Sequence, residues 1–141
     1  MTPAQIRIVR QSFERAAPSR QNVANLFYAN LFEVDPTFRL LLSGHSSARG
    51  EKLMEAVGVM VENLHRPHMF IPALEVLAVR HFGYGLEQAH YAVVRAALVR
   101  TVRDVLGPQA TTEIEEAWAA AYDAIAAEMV AAAPADFRLA A

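Results

Sequence analysis

The segment Leu77-Ala78-Val79-Arg80-His81-Phe82-Gly83-Tyr84-Gly85-Leu86 places one histidine near the end of an apolar helical pattern, just before a glycine-containing turn. A neutral imidazole in that position can reach into the interior between two helices and hold a transition metal. Taken alone, a lone histidine on an apolar face is more often a packed core residue. The other histidines, His45, His65, His68 and His90, have no matching ligand spacing, and His65-Arg66-Pro67-His68 reads as a solvent corner. The chain has no cysteine, which excludes disulfides, thiolate chemistry and cysteine-based zinc or iron–sulfur sites. No Ser/His/Asp arrangement, glycine-rich phosphate loop or HExxH motif is present. Any metal must be held by histidine, carboxylate or a cofactor.

The elements that would position His81 are helices throughout. Thr2-Pro3-Ala4-Gln5 has the pattern of a helix start, with Thr2 as cap, Pro3 at the first helical position and Gln5 reaching back. Ile6, Val9 and Phe13 then predict a helix to about Ala16. Pro18-Ser19 ends it and can cap a second helix, striped by Val23, Phe27, Leu31 and by Ala24, Tyr28, Phe32. Asp35-Pro36 starts a short third helix through Phe38 and Leu42, and a polar break follows. Leu53, Val57, Met60, Val61 and Leu64 mark a fourth long pattern beginning near Ala48. The next, from about Ile71 to Phe82, carries Leu74, Leu77, Ala78 and His81 on one face. Leu86 to about Leu106 forms a long helix stopped by Gly107-Pro108. Thr111 and Thr112 can cap the last one, and Thr112 with Glu115 has capping-box spacing. Its inward stripe includes Trp118, Tyr122, Ile125 and Met129. No strand alternation competes with this all-α reading.

Composition narrows the partners. At 141 residues and 54% hydrophobic, the chain reads as a single domain, 1–141, able to enclose a core and a pocket, with a loose tail after about 133. A formal charge of −2 gives no support to nucleic-acid binding. No apolar run approaches the roughly 20 residues of a membrane span, and the N-terminus lacks a signal-peptide pattern, so a cytoplasmic protein is expected.

Three motifs in this order carry a resemblance: Phe27-Tyr28-Ala29-Asn30-Leu31-Phe32 followed by Asp35-Pro36 and Arg39; Arg80-His81-Phe82-Gly83-Tyr84-Gly85-Leu86 with Tyr91 downstream; and Glu116-Ala117-Trp118-Ala119-Ala120-Ala121-Tyr122-Asp123-Ala124-Ile125-Ala126. Together, over nearly the whole chain, they resemble the globin family, and within it bacterial single-domain haemoglobins and the haem domains of flavohaemoglobins. The resemblance implies a globin fold of about six long helices plus a short one, packed around a haem pocket. It gives His81 the place of the proximal ligand of haem iron, its other ring nitrogen donating to a backbone carbonyl about a turn earlier. Tyr28 takes the place of the distal tyrosine whose hydroxyl hydrogen-bonds a bound gas. Leu53 takes that of an apolar residue over the ligand, and Leu77 lines the pocket beside His81.

Three positions depart from the pattern. Arg49 stands where relatives more often carry Gln or His; it cannot bind iron but can reach a haem propionate or a ligand indirectly, and Lys52 is a second propionate candidate. Leu42 stands where globins place a phenylalanine against the porphyrin, a role Phe38 can partly take. In flavohaemoglobin-type proteins a tyrosine links the proximal histidine to a late glutamate. Tyr91 matches the tyrosine, but the glutamate position falls on Ala133, and Glu128 is out of register.

The resemblance implies a haem b (iron protoporphyrin IX) protein that binds dioxygen reversibly, along with CO and NO, for storage, delivery or buffering rather than catalysis. The enzyme alternative is nitric oxide dioxygenation with a separate reductase, because 141 residues leave no room for flavin and nicotinamide domains. A gas sensor or interaction module is the third reading. Either a monomer or a homodimer is compatible with the sequence.

Overall fold

The computed structural model describes residues 1–41, 47–66 and 88–132. Every regular element among them is helical: α1 (Pro3–Ala16), α2 (Arg20–Val34), the one-turn α3 (Phe38–Leu41), α4 (Ser47–Glu62), α5 (Gln88–Leu106) and α6 (Thr112–Ala132). The helix expected over 71–82 and the tail after 133 lie outside the described residues. None of the described helices is long and apolar enough to cross a membrane.

The helix ends follow from local chemistry. At α1, Thr2 Oγ1 accepts from the Gln5 amide at 3.1 Å, while the Thr2 amide donates to Gln5 Oε1 at 3.0 Å, so the expected capping box forms. Pro18 and Ser19 sit in a 3₁₀ turn, Ala17–Ser19, and the Ser19 side chain makes no cap hydrogen bond. α2 stops at Asp35, whose backbone is extended (φ −143, ψ 99), as the residue before a proline must be. The Asp35 carboxylate accepts from the Thr37 amide at 3.0 Å and hydroxyl at 2.6 Å. Those two hydrogen bonds hold its pKa below the usual carboxylate range. The last carbonyls of α4 are met by Arg10 of α1, which donates to Val61 O at 3.3 Å and Glu62 O at 2.8 Å. Gly107 turns the chain out of α5 at φ 53, a left-handed conformation that glycine adopts without cost. α6 is capped by Thr111, whose hydroxyl accepts from the Ile114 amide at 3.2 Å. Because Thr112 is already the first helical residue, the Thr112–Glu115 box does not form, and the Glu115 carboxylate pairs with Arg103 instead.

Two apolar clusters hold these helices together. The first joins α1, α4, α5 and α6 through Val9, Val61, Leu64, Val102, Ala117, Trp118, Ala121 and Ile125. The second joins α2, α3 and α5 through Phe27, Leu31, Phe38 and Ala97. Leu98 packs against both. Two polar groups at the first cluster are paired: Trp118 Nε1 donates to Ser12 Oγ at 2.8 Å, and Ser12 Oγ donates to the Ile8 carbonyl at 2.8 Å. Burying the indole with its N–H satisfied avoids the penalty of a lost hydrogen bond.

Helices α2 and α4 cross closely at Ala24 and Gly50. A Cβ added to Gly50 would lie 3.1 Å from the Ala24 Cβ, whereas one on Gly58 would meet only the Phe13 ring at an ordinary 3.6 Å. Gly50→Leu is therefore expected to destabilise the fold by about 1–3 kcal/mol through overpacking. Gly58→Ala should gain about 0.5–1 kcal/mol from reduced chain freedom. Urea unfolding of both variants reads the two opposite signs.

Candidate functional site

Tyr28 lies on α2, one position past the buried Phe27 and one turn before Phe32. Its ring meets Phe27 edge-on with centroids 5.5 Å apart, and Phe32 at 6.3 Å. Tyr28 is half-buried and packs against the second cluster, as do Leu53 of α4 and Val93 and Val94 of α5. Phe38 is 1% exposed and supplies an aromatic wall there, touched edge-on by His90 at 5.2 Å. Arg39 covers the outer side, its guanidinium 5.2 Å from the Phe32 centroid, a cation–π contact that shields the ring from water. The structure thus brings Tyr28 and Leu53 onto one apolar surface, with an aromatic ring from α3 beside them.

Tyr91, near the start of α5, packs against the first cluster. Its hydroxyl is buried and has no hydrogen-bond partner among the described residues. Burial pushes its pKa above the ordinary value of 10.0. Its backbone is well anchored: Tyr122 of α6 donates its hydroxyl to the Tyr91 carbonyl at 2.8 Å. Burial, and then the neighbouring Tyr91 phenol, raise Tyr122 in turn. Alongside, Arg95 and Asp123 form a two-bond ion pair at 2.8 and 3.1 Å, exposed enough to contribute little to stability.

Of the other residues singled out in the sequence, Lys52 is exposed on α4. Arg49 falls within α4, with nothing of its side chain described; His81, Leu42 and Leu77 lie outside the described residues. The Ala133 position lies outside them as well. His65 does sit at a solvent corner, exposed between Arg10 (3.0 Å from Nδ1) and Arg66 (3.1 Å from Nε2). Among the described residues, no group of three or more His, Asp or Glu is placed to hold a metal ion. An open cleft of about 300 Å³ between the start of α2 and α4 is lined by Arg20, Gln21, Gly50, Glu51, Met54 and Glu55. It is a charged surface feature and shares no residue with the Tyr28 surface.

Sequence reading gave Tyr122 only a place on an inward stripe and gave Asn30 and Thr101 no role. All three make side-chain hydrogen bonds inside the fold. The available signal was the interruption of an apolar stripe by a polar residue, as with Asn30 beside Phe27 and Leu31.

This helical arrangement is the globin fold. A family model described as Globin matches residues 25–129, and the chain belongs to the globin family. It is 30% identical over 124 residues to the flavohemoprotein of Rhodopirellula baltica, covering 86% of this chain and 30% of that one. It is 36% identical over 103 residues to the flavohemoprotein of Bordetella parapertussis, covering 71% and 26%. The chain thus spans less than a third of the length of these curated relatives. Among solved structures, a bacterial globin from Campylobacter jejuni superposes with a TM-score of 0.84 at 21% identity, over 93% of this chain and 95% of that one. An engineered carbene transferase from Rhodothermus marinus, whose parent carries a provisional nitric oxide dioxygenase designation, superposes with a TM-score of 0.80 at 26% identity, over 90% and 89%.

Two outcomes follow from the tyrosine pair. A buried hydroxyl without a partner destabilises the fold, so Tyr91→Phe is expected to stabilise the ligand-free protein by about 1 kcal/mol in urea unfolding. Because burial keeps both phenols protonated where the unfolded chain releases its protons, the folded state binds more protons above pH 10. Stability is therefore unaffected by this pair below that pH and falls as pH rises through it. Tyr122→Phe should make that alkaline decline shallower.

Proposed function

We propose that this globin binds haem b and takes up dioxygen reversibly, with His81 as the iron's fifth ligand and Tyr28 as the hydrogen-bond donor on the opposite side. The observation that carries this reading is the packing of Tyr28, Leu53 and Val94, all partly buried, against one apolar cluster that contains Phe38. The donor set fits such a group in two respects. The surface is apolar and aromatic, as the face of a porphyrin requires. The Tyr91 hydroxyl is buried without a partner among the described residues, which suits a group that donates only once the pocket is filled.

Bound haem would supply an iron centre able to take a diatomic gas. The chain's own residues do the rest. His81, as a neutral imidazole, holds the cofactor and fixes its orientation. Tyr28 Oη donates toward the negative charge that a bound gas acquires, slowing its escape. Leu53 would exclude water from that side, and Leu42 and Leu77 are the sequence candidates for the remaining apolar walls. Arg49 and Lys52 are the candidates for the propionates, Lys52 from an exposed position that leaves its ammonium in water. Tyr91 faces the proximal side. With Ala133 in the sequence position of that carboxylate, the imidazole of His81 would lose the anionic partner found in flavohaemoglobin-type proteins and would donate less electron density. That favours a ligand-binding centre over strongly driven redox chemistry.

Replacing His81 by Ala is expected to abolish the five-coordinate ferrous spectrum; unchanged ferrous and CO-bound spectra would overturn the assignment. Tyr28→Phe should speed dioxygen dissociation by about tenfold, the worth of one good hydrogen bond, in stopped-flow measurement.

The second reading, nitric oxide dioxygenation, is favoured by the flavohemoprotein relatives and by the designation of the Rhodothermus marinus parent protein. Such turnover consumes electrons that a reductase must deliver. Sustained NO consumption with an added reductase would favour it; consumption that stops after a single equivalent would favour reversible binding.

A further inference from the structure

Helix α2 carries a buried polar lock on the flank away from Tyr28. Asn30 is 9% exposed, and its amide nitrogen donates to Thr101 Oγ1 at 3.1 Å and to Asp104 Oδ2 at 3.0 Å, both on α5. The hydroxyl of Thr101, 3% exposed, donates in turn to the Ala97 carbonyl at 2.8 Å. The chain Asn30–Thr101–Ala97 therefore runs from α2 into the backbone of α5. At about 100° per residue, Asn30 and Tyr28 fall on opposite flanks of the stripe formed by Ala24, Phe27 and Leu31.

Apolar contact is non-directional. Phe27 and Leu31 bury nearly as much surface if α2 rolls slightly about its axis, but the hydrogen bonds of Asn30 weaken steeply with angle. A roll of about 10° would carry a group about 9 Å from the axis through about 1.5 Å, enough to lose a hydrogen bond to a small ligand.

We infer that Asn30 is a positioning residue for Tyr28: by locking the rotation of α2 against Thr101 and Asp104, it sets where the Tyr28 hydroxyl stands over the ligand pocket. This rests on the reading of Tyr28 as the distal donor. Asn30 does not touch the ligand; it acts through the tyrosine two residues earlier.

The test is a double-mutant cycle on the haem-loaded protein: wild type, Asn30→Leu, Tyr28→Phe and the double variant. The readouts are the C–O stretching frequency of the CO complex and the dioxygen dissociation rate. Asn30→Leu is expected to move the C–O band toward its Tyr28→Phe position and to speed dissociation about three- to tenfold. In the Tyr28→Phe background the same change should alter the rate by less than about twofold, because coupled residues are non-additive. An equal factor in both backgrounds, or no change from Asn30→Leu alone, overturns the proposal and leaves the Tyr28 reading standing. No change from Tyr28→Phe removes the distal donor itself, and the proposal with it. If Asn30→Leu does not fold, Thr101→Val, which removes one acceptor at nearly constant shape, carries the same comparison with the same outcomes.

Discussion

The seating of α2 on α5 is the constraint from which the rest of this molecule follows. These two helices make the most extensive pairing among the described elements. They can do so because Ala97, fully buried, brings no bulk to the contact. On its other side α2 is pressed against α4 at Ala24 and Gly50. A helix held between two neighbours by small residues has little freedom to translate. Its remaining freedom is rotation, and the buried amide of Asn30 restricts that. Tyr28, Phe27 and Phe32 all inherit their placement from this arrangement, and α3 with Phe38 hangs from its end.

Much of the fold was legible in the chain because helix signals are local. The Thr2–Gln5 box and the turn at Gly107 each depend on a handful of adjacent residues, and each stands where the pattern put it. Thr112 shows the limit of such reasoning. Two adjacent threonines offered equivalent caps, and Arg103, far away in sequence, claims the glutamate that one box would have needed. Ser12, Asn30 and Thr101 were illegible for the same reason. Nothing in a single sequence says which partner helix will present an acceptor to a buried polar side chain.

The site was legible in a different way. Tyr28, Leu53, His81 and Tyr91 stood out through their resemblance to a family, and the described structure sets Tyr28 and Leu53 against one cluster and Tyr91 against the other. What the pattern could not convey is that the Tyr91 hydroxyl is left without a partner while its carbonyl is tied down by Tyr122. One polar end of the residue is tied to α6, and the other meets no partner among the described residues. This division of labour within one residue depends on α6 arriving at the right height along α5.

The two clusters also differ in when they can form. Among the described residues the second cluster draws its buried members from α2, α3 and α5, with Leu53 of α4 packed against them, so its contacts are available as soon as the chain has been made through Leu106. The first requires Trp118 to meet Ser12 across 106 positions of sequence. During synthesis the stripe of Ile6, Val9 and Phe13 on α1 can meet α4 early, but the side that faces α6 stays uncovered until Trp118 has been made. Closing so long a loop is slow, and a helix side left exposed over that interval is where a chaperone, or another nascent chain, would first take hold.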